Sequence, residues 1–155
     1  MFKKGITFFD FICLKQIITD MPFYKIILSY LLTMLVFFAI DMVWLGFIAK
    51  NLYRKYLGGF LSDTINWKAA IIFYLIFIIG IFIFAIMPAI EKNSMAKAII
   101  YGAMFGFFTY ATYDLTNLAT LKNWPLQIVF IDMAWGALLT ALVSAAGFYI
   151  VKWIA

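Results

Sequence analysis

Residues 69–90 read AAIIFYLIFIIGIFIFAIMPAI, twenty-two positions without a single charge. At about 1.5 Å of rise per residue such a run makes a helix of roughly 33 Å, enough to cross a bilayer hydrocarbon core of about 30 Å. Lipid offers the backbone no hydrogen bonds, so the run must satisfy its own amides and is expected to be helical throughout. Pro88 falls in its last turn, just before Glu91, where a missing amide does least damage.

Three other stretches repeat the pattern on either side. Residues 26–48 are bracketed by Lys25 and Lys50. Residues 98–118 begin apolar and turn polar after Tyr113, and residues 126–151 follow a Lys122-Asn123-Trp124-Pro125 turn whose proline suits a first helical position. The reading is an all-α polytopic membrane protein, a four-transmembrane-helix antiparallel bundle formed by one domain, 21–155. The longest connection, 50–68, carries Tyr53, Arg54, Tyr56, two glycines and Asp63, and is expected to form a short interfacial helix or lid. Trp67, Trp124 and Trp153 fall at the span ends, as an aromatic belt requires.

Composition agrees. Of the 155 residues 67% are hydrophobic and 12% charged, against about 25% charged in an average soluble domain, so the lipid bilayer is the expected partner of most side chains. A single cysteine, Cys13, and the absence of histidine exclude an intrachain disulfide and argue against common zinc, haem and iron–sulfur sites. No metal is expected, and nothing in the residues points to a cofactor. The net charge of +5 comes from lysines scattered along the flanks of apolar runs, the pattern of headgroup anchors. No nucleic-acid partner is expected.

Residues 1–20 differ in kind. Phe2, Ile6, Phe9, Ile12 and Ile17 alternate with Lys3, Lys4, Asp10, Lys15 and Gln16, which suits an amphipathic interfacial segment or a non-native extension ahead of Met21-Pro22. With the N-terminus inside, seven lysines lie on cytoplasmic segments against five basic residues outside, so both termini are expected to be cytoplasmic.

Three of the seven acidic residues fall inside the spans: Asp41, Asp114 and Asp132. Each costs roughly 2.5 to 3.5 kcal/mol near a bilayer centre. Asp41 lies roughly 22 Å along the first helix, Asp114 roughly 24 Å along the third, and Asp132 roughly 9 Å down the fourth from the same face. The three therefore share a layer beneath the face that carries the 50–68 connection. Asp41-Met-Val-Trp44 and Asp132-Met-Ala-Trp135 repeat one spacing, which sets each indole on the face of its aspartate. Tyr110, Asp114 and Asn117 form a similar stripe. No Lys, Arg or His in the spans balances these acids. They are expected to be protonated, hydrogen-bonded by Trp, Tyr, Asn or Thr, shared with a cation, or met by Arg54 or Lys55 folding back. Gly102 and Gly106 make a Gly-x-x-x-Gly pair that allows close helix approach, and Gly136, Thr140 and Ser144 form a small-residue stripe in the fourth span.

The block Tyr113-Asp114-Leu115-Thr116-Asn117-Leu118-Ala119-Thr120-Leu121, with Asp41-x-x-Trp44-Leu45-Gly46, Pro88-Ala89 and Asp132-x-x-Trp135-Gly136, resembles the bacterial membrane-protein family catalogued as domain of unknown function 2177. The resemblance covers about residue 21 to the C-terminus. It implies a four-span protein of the bacterial cell (inner) membrane and supplies no activity or cofactor.

The leading expectation is a binding or transport module whose one-sided site, built from Asp41, Trp44, Tyr110, Asp114, Asn117, Asp132 and Trp135, takes a cation, proton or cationic small molecule. A homodimer is expected if it transports, since four helices enclose little room for a path. An intramembrane enzyme acting on a lipid or isoprenoid is the first alternative, marked by an apolar, tail-sized groove reaching the acids from the lipid side. A structural or assembly subunit is the second.

Overall fold

The computed structural model describes residues 21–62 and 64–155. The amphipathic or non-native character expected of 1–20, and Asp63 of the 50–68 connection, lie outside the described residues. All regular structure among them is helical.

Helix α1, Phe23–Val43, continues without a break through a π-helical segment, Trp44–Ala49, into α2, Lys50–Leu57. The first span was expected to stop at Lys50; instead the chain stays helical beyond it. Leu52, Tyr53, Tyr56 and Leu57 give α2 an apolar side that packs with Trp124, Ile128 and Val129, while Arg54 and Lys55 stay exposed. A short helix in the 50–68 connection is thus present as the extension of α1.

Helix α3, Trp67–Ile81, starts at Asn66, whose side chain accepts the amide of Ala69 at 3.2 Å. A second π-helical segment, Phe82–Ile86, leads into α4, Met87–Glu91. Pro88 has no amide to give and its ring crowds the preceding turn, and a widened turn directly before it relieves both. Asn93 closes the next turn at φ 43°, a left-handed conformation that asparagine tolerates better than most residues. Helix α5, Met95–Thr120, is capped by Ser94. After Asn123, also left-handed at φ 60°, α6 runs over Leu126–Ile154.

Three stretches, Phe23–Leu57, Trp67–Glu91 and Leu126–Ile154, are each long and apolar enough to cross a membrane. Helix α5 has the length, 26 residues, but its Gly, Thr, Tyr and Asp residues make it less apolar. Those residues let it lie against α6 over most of its course. Thr140 Oγ1 donates to the Gly102 carbonyl at 2.6 Å and to that of Gly136 at 2.7 Å. A methyl group on Gly106 would overlap the Gly136 carbonyl. Helix α6 is the centre of the bundle, carrying buried residues from Ile128 to Val151 and packing against α1 as well as α5. Around this core, large apolar side chains such as Ile76, Phe84 and Phe130 point outward at 65% exposure. That surface is stable only in contact with lipid tails.

The two ends of the described chain meet on one face, where Lys25 Nζ donates to the Ala155 carbonyl at 3.0 Å. The belt expectation is corrected at Trp124. Trp67 and Trp153 are exposed, but Trp124 is only 8% exposed, set edge-on to Phe60 and Tyr113. Its position after the Lys122-Asn123 turn folds it under α2 rather than out to the headgroups.

Candidate functional site

Near the membrane face that carries α2, aspartates from α1, α5 and α6 are buried: Asp41 is 5%, Asp114 0% and Asp132 6% exposed. Their partners are mainly tyrosines. Tyr74, on α3, donates to Asp41 Oδ2 at 3.0 Å. Tyr53, on α2, donates to Asp132 Oδ1 at 2.8 Å. Tyr110 lies with its ring over Gly136, where any side chain would collide with it, and it comes within electrostatic range of Asp41, Asp114 and Asp132. Asp114 is in electrostatic range of Asp132 and near Trp124. Neither carboxyl oxygen of Asp114 accepts a hydrogen bond of strict geometry among the described residues, although the Trp124 indole is turned to it. Asn117, one turn further along α5, is half-buried and makes no side-chain hydrogen bond among them.

The repeated Asp-Met-x-Trp spacing has a structural consequence. Trp44 and Trp135 stack face to face, with ring centroids 4.2 Å apart and planes 8° from parallel. Because α1 and α6 are antiparallel, each indole is carried toward the other motif: Trp135 lies by Asp41 and Trp44 by Tyr53. Both indole nitrogens are buried and fall outside strict hydrogen-bond geometry, while Trp135 is turned to Asp41 and Trp44 to Tyr53, so the rings stack within the layer where they were expected to donate. Arg54 and Lys55 do not fold back onto the acids: both are exposed, and Lys55 Nζ lies over the Tyr56 ring at 5.1 Å. Among the described residues no three His, Cys, Asp or Glu side chains gather closely enough to share a metal ion.

Tyr53 and Tyr74, the residues that hold the acids, escaped the reading of the sequence. Tyr74 had left a sign, being the one hydrogen-bonding side chain in residues 69–90. Tyr53 shares the inward face of α2 with Leu52, Tyr56 and Leu57, a pattern visible only once that segment is known to be helical.

A groove of about 950 Å³ opens toward the lipid between the α3 wall and α5. Phe73, Phe77, Ile83, Phe84 and Phe105 are among its walls, joined by Tyr53, Leu57 and Leu61. Its polar residues are Tyr53, Thr109, Tyr110, Tyr113 and Asp132. Gly80 is part of the wall opposite Phe105, whose ring tip would stand 2.5 Å from any Cβ added there. Phe84 stacks on Phe105 lower down, with centroids 6.0 Å apart.

Apolar helices, lipid-facing surface and buried intramembrane acids define the class: an integral membrane protein built as a polytopic helical bundle. Residues 26–149 match the family described as predicted membrane protein DUF2177, and the chain belongs to that family. No curated protein and no solved structure matches it.

Proposed function

We propose that this protein binds an amphiphilic molecule drawn from the bilayer, with its apolar chain in the groove between α3 and α5 and its head at Asp132 and Tyr53. The observation that carries this reading is the groove itself, which is apolar along its walls, open toward lipid and bordered by a buried carboxyl group. Its volume of about 950 Å³ lies within the range of ligand pockets, about 300 to 1,000 Å³. From Phe73 to Phe84 the wall extends roughly 16 Å, a span suited to a long hydrocarbon chain.

The test is to purify the protein in a mild detergent, extract what it retains and weigh it by mass spectrometry, beside a Gly80→Leu variant whose added side chain intrudes on the groove. Retention of a defined amphiphile by the parent, and its loss from the variant, is the expected result. Equal retention by both, with both folded, overturns the reading.

A second reading, chemistry on the bound molecule, is favoured by Asp114, a wholly buried acid beside Trp124 and in electrostatic range of Asp132. Two acids in unequal surroundings are the ordinary equipment of general acid and base catalysis. Conversion of the retained amphiphile by the parent and not by Asp114→Asn would support it; an unaltered amphiphile at long incubation would count against it.

We place both termini on the cytoplasmic side of the cell membrane, on the lysine distribution. A thiol introduced at Lys25, in a chain with Cys13 replaced, should resist an impermeant reagent in intact cells, while one at Lys122 reacts. The reverse labelling inverts the topology.

A further inference from the structure

The polar end of the groove is lined by one acid and three tyrosines. We propose that it takes a long-chain amine, with the positively charged nitrogen seated at Asp132 among the rings of Tyr53, Tyr110 and Tyr113. This assignment rests on the groove reading above and names the class of its occupant.

Charge complementarity is the first argument. Among the described residues the one charged side chain that lines the groove is acidic, Asp132, and no Lys or Arg lines it. Asp114, in electrostatic range of Asp132, adds a second acid without a base. Asp114 is completely buried close to Trp124 and Asp132, and at Asp132 itself the oxygen that Tyr53 does not bond has no donor among the described residues. Buried acceptors without donors are costly, and a cation bringing N–H donors removes that cost. A phosphate or carboxylate head would meet these acids with no lysine or arginine in the described lining to receive it.

The aromatic lining is the second argument. Tyr53, Tyr110 and Tyr113 line the groove together with Asp132, and aromatic faces attract ammonium groups through their quadrupoles, most strongly where water is excluded. Tyr53 donates to one oxygen of Asp132, which fixes the carboxyl group while its other oxygen makes no hydrogen bond to the described residues. An alcohol head would find an acceptor here but would leave the charge unbalanced and gain little from the rings. Ile76, Phe84 and Tyr113 are exposed on the outer side, so the chain of a membrane amphiphile has direct access from lipid.

The experiment uses the full chain in maltoside micelles and three probes with the same alkyl chain, each carrying a diazirine near its end and differing only in the head: ammonium, hydroxyl or carboxylate. After irradiation, labelled peptides are mapped by mass spectrometry. The ammonium probe should label the peptides containing Phe73 to Phe84 and Phe105 to Tyr110 about tenfold more than either other probe, as expected for ion pairing with added cation–π attraction in a desolvated site. Asp132→Asn should erase that preference while hydroxyl-probe labelling persists, which also reports that the variant is folded. Asp114→Asn, should Asp132→Asn fail to fold, is expected to weaken the preference in the same direction. Equal labelling by the ammonium and hydroxyl probes, or stronger labelling by the carboxylate, overturns the amine assignment and leaves the groove reading standing. No labelling of these peptides by any probe overturns both.

Discussion

Replacing Gly102 by alanine tests whether α5 and α6 are held together by close backbone approach. A Cβ at position 102 would stand 2.5 Å from both the Thr140 carbonyl oxygen and Ser144 Oγ, whereas ordinary contact begins near 3.4 Å. The Thr140 carbonyl is backbone and has no rotamer to change, so relief requires the helices to part by about 0.9 Å in a tightly packed seam. The same movement stretches the Thr140 Oγ1 bond to the Gly102 carbonyl from 2.6 Å to about 3.5 Å, the outer limit of a hydrogen bond. Overpacking of this kind costs about 1 to 3 kcal/mol, and an interhelical bond in a membrane contributes about 0.6 kcal/mol on average and about 1.7 at most. Alanine returns about 1 kcal/mol of helix propensity. The net expectation is a loss of about 1 to 3 kcal/mol, or roughly five- to 160-fold in the folding equilibrium. Gly46 has nothing within 4 Å of its missing Cβ, so Gly46→Ala should be neutral or slightly stabilising. Reversible unfolding in mixed micelles, followed by tryptophan fluorescence, reads both variants on one scale. If Gly102→Ala is as stable as Gly46→Ala, the packing argument for this seam is wrong.

Thr140→Val deletes the hydroxyl that bonds both Gly102 and Gly136 carbonyls, and should lower stability by about 0.6 to 1.7 kcal/mol in the same assay. Phenylalanine at Trp44 or at Trp135 separates the stacked indoles, so each single variant should abolish the same exciton feature in circular dichroism; a feature that survives either change would mean the rings do not stack. A double-mutant cycle of Tyr53→Phe and Asp132→Asn should show a coupling of about 1 kcal/mol from their 2.8 Å bond. Arg54→Ala and Lys55→Ala together should leave folding unchanged, because both side chains are exposed and pack against nothing in the bundle's core.

Asp41, Asp114 and Asp132 stood out in the sequence because a charge within an apolar run is anomalous wherever the chain folds. Their depths followed from helical rise and the alternation of direction. What each carboxyl group touches depended on rotation about four helix axes, which near-uniformly apolar faces leave unmarked. Asn117 shows the limit: it shares a stripe with Tyr110 and Asp114, yet it makes no bond within the layer. Trp44 and Trp135 show another, for a spacing of three places a residue on a face but does not tell whether its ring will donate or stack.

Residues 69–90 alone determined that this chain lives in a bilayer, since no packing inside a protein of this size could hide so many apolar side chains from water. The number and approximate extents of the long helices, and the belonging of residues 26–149 to their family, were likewise carried by linear pattern. Only the tertiary structure decided that α1 continues into α2 and folds Tyr53 over Asp132. It alone decided that Tyr74 reaches Asp41, and that α3 and α5 stand far enough apart to leave a groove. Those outcomes depend on how side-chain volumes fill the space between helices. That is a property of contacts between distant residues, to which local pattern is blind.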